Sequence, residues 1–598
     1  MNYNLLERNQ SLSIQEQVLK NRGIDNYDEY LNAGKDDIIH WSKLDNIQEA
    51  VECLQNAIVN GLRIGLIADS DADGSLSSGM FYNYFKKYNP FVYFHESKEH
   101  GLSDYLMPQI ISDIEHKEIG ILVIPDAQAA EDNCKKLKQL GIDIITLDHH
   151  DTEKYNPYAI LVNPMLSKGY ENKFLSGAGV TWKFLQCYSD MNGNYDADRY
   201  VDMVAYSIMS DSMNIKTLEN RAIITLGMNN TNNKMLLEFI KGVEQPDKEE
   251  TSFSRKVETP TDVSFNVVPL INGLIRVGSQ EDKQLMFNAF AEVEQDYEYT
   301  NPKTKQEGFE TVYRRTFRIC KNAKTRQDKE VAKAMDIVKE DIVKNKRDNH
   351  KILFCKINAD VDKSFSGLCA IKIASEFNKP TVLLREGKND YFSGSIRNFD
   401  GSPLKDLKGF LQSFGYTSFI AGHANSAGIG LTKKQLLKLI ELTDEKLKNY
   451  SFDKNYDIDF EFDGIDNLMS NSEFTELYNL RFYYGQGIQK SYTLLKNIEF
   501  NSSSIKFLGK EKDTWKVSLK NNLDIIKFKA NNNDPIYEKF CDKNDFSWAN
   551  QDVSINMVGS LGLNEWGGKK VWQYIVESYE ENEIIESKNV ESINDFEW

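Results

Sequence analysis

Three short apolar runs early in the chain each stop at a carboxylate. Arg63–Ala68 runs into Asp69-Ser-Asp71-Ala-Asp73-Gly74, Ile121–Pro125 into Asp126, and Ile142–Leu147 into Asp148-His149-His150. Runs this short and this apolar read as strands buried on both faces, which is how parallel sheets are written. Helical stretches such as Glu131–Leu140 separate them, so the pattern is βαβ repetition. Strands joined this way all point in one direction, and their C-terminal ends open on the crevice where such sheets bind ligands. The spacing therefore predicts an α/β fold with acidic and imidazole side chains gathered at one edge of the sheet.

Each segment alone has a plainer reading. The His149–His150 pair could cap a turn and face solvent, and Asp126 could be a turn residue. Asp69, Asp71 and Asp73 could form a helix cap leading into Ser75–Tyr88. A calcium loop of the EF-hand kind fails, because Leu76-Ser-Ser-Gly-Met80 offers no glutamate to close it. Taken together the plain readings weaken. A fourth, mostly apolar stretch, Tyr200–Asp211, again ends in an aspartate. Carboxylates and a histidine collected from several element ends give the mixed oxygen and nitrogen donor set that suits manganese or magnesium.

These segments resemble the motifs of the DHH phosphoesterases, named for Asp-His-His, and within them the RecJ-like single-strand exonucleases. Asp69–Gly74 resembles motif one, Asp126 motif two, Asp148-His-His150 motif three and Asp211 motif four. Asn21–Leu31 resembles the family's lead-in, and Leu161-Val-Asn-Pro164 and Ser176-Gly-Ala-Gly-Val180 follow motif three as in the family. Val268-Pro-Leu-Ile-Asn-Gly-Leu-Ile-Arg276, Ser393–Arg397 and Gly422–Gly428 are similar to signatures of the associated second domain. Leu561–Gly568 resembles the last strands of the family's oligonucleotide-binding barrel.

The resemblance implies roles. Asp69, Asp71, Asp126, His149 and Asp211 would be ligands to a pair of Mn2+ or Mg2+ ions, with Asp73 either a further ligand or a turn former. His150 would contact the scissile phosphate, with Asp148 behind the imidazoles as an orienting carboxylate. Asn272, Arg276, Arg397 and His423 would bind the strand. The implied activity is metal-dependent 5′-to-3′ hydrolysis of single-stranded DNA to mononucleotides in recombination, repair or replication. The enzyme would be a monomer, working beside a single-strand-binding protein or a helicase. The competing expectations are a phosphodiesterase for short oligonucleotides or cyclic dinucleotides, a non-catalytic strand-binding scaffold and a small-molecule pyrophosphatase. Against the first, the histidine expected four positions before Asp69 is replaced by Gly65. Two departures from the family stand out. Asp126 continues Ala-Gln-Ala129 instead of Asn-Gly, and Phe94–Ser103 only partly resembles the family's basic stretch, with His95 or His100 in place of its arginines.

At 598 residues the chain has length for about three or four domains. The predicted division is a helical lead-in (1–62), a parallel-sheet DHH domain (63–215), a helical connector (216–259) and a second α/β domain of the DHHA1 kind (260–448). An OB-like β-barrel (457–580) and an acidic tail (581–598) follow. Within the barrel, Phe528, Trp566, Trp572 and Tyr574 are weighed as stacking platforms for bases against the core positions that such aromatics more often fill. No apolar run approaches the ~20 residues of a membrane span. The first residues carry no charged-then-apolar leader, and seven cysteines form no Cys-x-x-Cys pair. A cytoplasmic location is expected. The formal charge of −18 is unusual for a chain that binds nucleic acid. Aspartates awaiting cations account for part of it. The basic clusters Arg314–Arg315, Lys321–Arg326 and Lys344–Arg347 are either a binding groove or a solvated helix face.

Overall fold

Five strands build the predicted all-parallel sheet: β1 (Ile64–Ala68), β2 (Phe91–Phe94), β3 (Ile121–Pro125), β4 (Asp143–Leu147) and β5 (Ile160–Val162), ordered β2-β1-β3-β4-β5. The structure is a computed structural model. It describes residues 1–582 except 96–98, 117–118, 195, 245–255, 465–470, 520–521, 531–533, 542–550 and 567–568. Every residue of β1 and β3 is buried, as the unbroken apolar runs require.

Helix α1 (Ala72–Phe85) starts directly after β1 and packs against α2 (Gly177–Met191) and α3 (Val201–Ser210). It is buried along nearly its whole length, which explains its run of small residues. A Cβ on Gly74 would lie 2.5 Å from that of Asp69, and one on Gly79 would lie 2.9 Å from that of Phe290. The stretch from Tyr200 to Asp211 is thus a helix, α3, with Asp211 as its C-terminal cap.

The chain divides into two compact units. Ile24–Asp453 with Phe482–Gln489 forms one, and Met1–Gly23 with Lys454–Arg481 and Lys490–Trp598 forms the other. The first unit carries the parallel sheet and a second five-stranded sheet. In the second sheet Phe419–His423, Ser426–Thr432, Tyr391–Arg397 and Thr381–Glu386 pair antiparallel in that order, and Leu353–Lys356 adds in parallel. A 33-residue helix, Val312–Lys344, precedes it and extends well upstream of the helix expected around Lys329–Lys344. Its buried stripe of Val331, Val338 and Ile342 packs on Leu353 and Ile373. Several basic residues on this helix, and Arg347 just beyond its end, are spent locally. Arg314 donates to Glu238, Arg318 to Glu310, Lys324 to Asp328, and Arg347 to Asp341. For these four, the solvated-face reading holds in place of a groove. Among the described residues no helix is long and apolar enough to cross a membrane.

In the second unit, the expected barrel strands form a seven-stranded sheet. Its order is Phe460–Asp463, Thr493–Asn501, Asp552–Trp566, Lys569–Glu581, Leu523–Lys527, Thr514–Ser518 and Lys506–Leu508. Lys569–Glu581 carries pairing to Glu581, the first residue of the expected acidic tail; residues beyond 582 lie outside those described. Within the mostly helical lead-in, Asn2–Leu5 is a strand, pairing with Asn455–Ile458. The aromatic expectations divide. Tyr574 is core, its hydroxyl donating to the Thr493 carbonyl at 2.6 Å, and Trp572 packs on Phe474 and Tyr478. Phe528 is exposed, and the Trp566 side chain lies outside the described set.

Candidate metal centre

The register of the parallel sheet places the motif carboxylates. Ile121 pairs with Ile64 and Asp143, and Pro125 pairs with Leu147. Continued past the strand ends, that register sets Asp69, Asp126 and Asp148 in one row, each about 4.8 Å from the next strand's backbone. Asp126 turns out of β3 with φ +59°, a left-handed conformation that aspartate tolerates better than most residues. The tight turn behind it forms without the family's Asn-Gly because Asp126 itself takes the positive φ.

Around this row a cluster closes. His149 Nε2 lies 3.2 Å from Asp126 Oδ1, 3.6 Å from Asp211 Oδ2 and 3.8 Å from Asp73 Oδ2. Asp73 is the surprise. Its carboxylate accepts from the Gly177 and Ala178 amides at the start of α2 (2.8 and 2.9 Å) and from the Ser207 hydroxyl at 2.5 Å. A helix N-terminus is a natural seat for a carboxylate, so Asp73 both anchors α2 and joins the cluster. Glycine at 177 is obligatory, because a Cβ there would sit 2.2 Å from Asp126 Oδ1. Asp71 caps α1 through the Gly74 amide at 2.9 Å.

Electrostatics mark the cluster as built for cations. Asp126 is 1% exposed, and its Oδ1 has no hydrogen-bond partner. Burial, then the charges of Asp73, Asp71 and Asp69, raise its carboxyl well above the usual range. Burial and the Asp69 and Asp73 charges push Asp71 up to about 6. Burial, Asp73 and Asp71 push Asp211 up to about 7. Burial lowers the His149 imidazole, which favours its neutral, ligating form. An orphaned buried oxygen among mutually repelling carboxylates and a neutral imidazole fits a divalent ion with mixed oxygen and nitrogen donors. Two donor groups meet the distance requirement around this point, Asp73–His149–Asp211 and Asp126–His149–His150. A third, Asp69–Asp71–His100, stands beside them.

His150 is half-exposed, and its Nδ1 lies 2.7 Å from the fully buried Asp148 Oδ1. That hydrogen bond, against the opposing effect of burial, raises the imidazole to about 9. Asn163 completes the support, donating to Asp148 Oδ2 at 3.1 Å and to the His150 carbonyl at 3.0 Å.

The comparisons with known proteins bear on the same residues. The model of the DHH family's N-terminal domain matches residues 63–208. A Bacillus subtilis (strain 168) protein named as an SPβ prophage-derived single-strand DNA-specific exonuclease is 30% identical over 586 residues, spanning 96% of this chain and 97% of the relative. The chain belongs to the DHH phosphoesterase family. The RecJ exonuclease of B. subtilis is 24% identical over 94% of the chain and 67% of its own length. Among solved structures, RecJ from Thermus thermophilus in complex with Mn2+ superposes with a TM-score of 0.71 at 15% identity, covering 97% of this chain and 80% of that one. Its Mg2+ complex gives 0.66.

The residues that the resemblance assigns to strand binding lie on the second sheet and the helix Val268–Val277. Asn272 and Arg276 sit one turn apart on that helix and share a face. Arg397 and His423 both pair with Ser426, one from each side, so the three side chains share a face of the sheet. Burial, and after it the Arg276 charge, lower the Arg397 guanidinium. Gly367 makes room for Arg397; a Cβ there would lie 2.4 Å from its Nη2. Of the two family departures in Phe94–Ser103, His95 is buried, with Nε2 3.0 Å from the Gly101 carbonyl, so it braces the loop and does not replace a surface arginine. His100 faces the site, with Nδ1 2.6 Å from Asp69 Oδ2. Gly65 is enclosed by Leu122, Ile119 and Tyr93, all within 3.3 Å of a Cβ built there, so a histidine has no space. Sequence reasoning assigned no role to Ser207, Asn163 or the Gly177 and Ala178 amides. Ser207 carried a signal: it lies four residues before Asp211 on an apolar helix, on the same face.

Proposed function

We propose that this chain is a metal-dependent single-strand DNA exonuclease that degrades from the 5′ end and serves recombination, repair or replication. The convergence of Asp73, Asp126 and Asp211 on His149 Nε2, with the buried Asp126 Oδ1 left without a hydrogen-bond partner, carries the reading. The relatives named as single-strand DNA-specific exonucleases supply the substrate class.

Asp71, Asp73, Asp126, His149 and Asp211 would hold Mn2+ or Mg2+. Such ions polarise phosphoryl oxygens and acidify bound water, which is the chemistry that phosphodiester hydrolysis needs. The chain's own groups do the rest. His150 stays cationic through neutral pH because Asp148 holds it so, and its exposed ring can donate to a phosphate oxygen as charge builds there. Arg276 and Arg397, the first of which lowers the second's guanidinium by its charge, would offer cations to a backbone phosphate. His423 stands on the same sheet face.

Digestion of 5′- and 3′-labelled single strands with Mn2+, beside Asp126→Ala, tests the reading. The expected result is mononucleotide release from the 5′ label first, and none by the variant. Release from the 3′ end first would overturn the polarity, and full activity of the variant would overturn the site.

A further inference from the structure

The centre holds two histidine–aspartate couples of the same design, and only one of them is written in the Asp-His-His motif. In the first, His150 Nδ1 is 2.7 Å from Asp148, with the imidazole 54% and the carboxylate 0% exposed. In the second, His100 Nδ1 is 2.6 Å from Asp69, with the imidazole 48% and the carboxylate 1% exposed. Asp69 and Asp148 occupy the same row at the strand ends, two strands apart. Each buried carboxylate takes Nδ1 and so fixes the ring, with Nε2 on the side opposite that carboxylate.

The backbone just after His100 is held firmly. The Gly101 amide donates to Asp69 Oδ1 at 3.0 Å, and its carbonyl meets His95. Gly101 has φ +61°, and a Cβ there would strike the Gln128 carbonyl at 2.0 Å, so the backbone is locked against the turn after Asp126. Both Asp69 oxygens are therefore engaged by His100 and Gly101, whereas Asp126 Oδ1 has no hydrogen-bond partner.

We propose that His100 is a second phosphate-contacting imidazole, held in place by Asp69, which acts as an orienting carboxylate and not as a metal ligand. The proposal rests on the nuclease reading for its substrate but not for its test. Its ligand is a phosphate of the bound strand.

Two measurements on the full chain decide it. Mn2+ titration calorimetry compares wild type with Asp69→Asn, His100→Ala and, as the positive control for a lost ligand, Asp126→Asn. Fluorescence anisotropy follows oligothymidylate binding with Ca2+ replacing Mn2+, so that no turnover is needed. Asp69→Asn and His100→Ala should keep the wild-type Mn2+ stoichiometry. His100→Ala should weaken strand binding about 10- to 100-fold, the range for a charge-assisted hydrogen bond. Asp69→Asn should fall between it and wild type, and His100→Arg should restore most of the affinity. A deficit confined to 5′-phosphorylated strands places the contact on the terminal phosphate, and an equal deficit with 5′-hydroxyl strands places it on an internal one. Loss of an ion from Asp69→Asn overturns the orienting role. Binding by His100→Ala within twofold of wild type overturns the phosphate contact. Absence of turnover in the wild type would count against the nuclease reading alone, since both measurements are made without it.

Discussion

Replacing Asp71 with asparagine should make the metal-free protein more stable at alkaline pH and less able to be stabilised by Mn2+. The amide can still accept from the Gly74 N–H, so the helix cap survives while one charge leaves the crowd around Asp69 and Asp73. Asp71 is pushed from 3.8 up to about 6. At 1.36 kcal/mol per pH unit, ionising it in the folded chain costs about 3 kcal/mol above pH 6, an upper figure because the carboxylate is partly wetted. The sign follows from linkage. A carboxyl raised on folding lends stability below its unfolded value of 3.8 and loses it as pH rises through 6. The gain from Asp71→Asn should thus be about 3 kcal/mol at pH 8, about 1.5 at pH 5 and about 0.5 at pH 4. At about 2.1 cal/mol/K per residue, with some 440 residues in this unit, 3 kcal/mol is about 3 °C in Tm. Thermal unfolding in EDTA at the three pH values reads it, using the transition that Mn2+ shifts. With Mn2+ a hundredfold above its Kd, the gain at pH 8 should largely vanish, because a lost ligand forfeits roughly 3 kcal/mol of linked stability. A gain in EDTA that does not depend on pH, or no gain at all, would refute the electrostatic account of the site.

Asp148→Asn should return His150 from about 9 toward its ordinary value near 6.5. The variant's rate should then fall about 30-fold at pH 8 yet stay near wild type at pH 6; a deficit equal at both would deny His150 its role as the charged donor. Gly177→Ala, which drives a methyl against Asp126 Oδ1, should abolish Mn2+-dependent stabilisation and cut the rate by roughly a hundredfold or more, measured by thermal shift and by digestion. Lys183 Nζ and Glu219 Oε1 meet at 2.8 Å with both side chains essentially unexposed. Lys183→Met should cost about 3–5 kcal/mol in urea unfolding, and Lys183→Met with Glu219→Gln should cost less, because the single change strands a buried charge.

Much of the centre was legible locally. Buried parallel strands are unbroken apolar runs, so β1, β3 and β4 and the residues ending them could be read from a few neighbours. The same local logic found Asp211 at the end of α3. It failed where partners are far apart in sequence. Asp73 meets Gly177 across 104 residues and Ser207 across 134, and His100 meets Asp69 across 31. Nothing in the Asp-x-Asp-x-Asp spacing separates the aspartate that anchors α2 from the one that takes His100. Nor did the aromatic pattern near the C-terminus separate buried Tyr574 from exposed Phe528, because alternation records a face and not what covers it.

By itself, then, the sequence determined which residue types stand at the ends of which strands, and with them the family and the donor chemistry. Tertiary structure decided which of those donors share a point. The register of the parallel sheet lines up Asp69, Asp126 and Asp148. The approach of α2 and of His100 with Gly101 then divides their work, drawing Asp73 into the cluster and turning Asp69 toward His100. Hydrogen bonds between distant segments depend on how elements pack, and packing leaves no periodic trace in the local sequence.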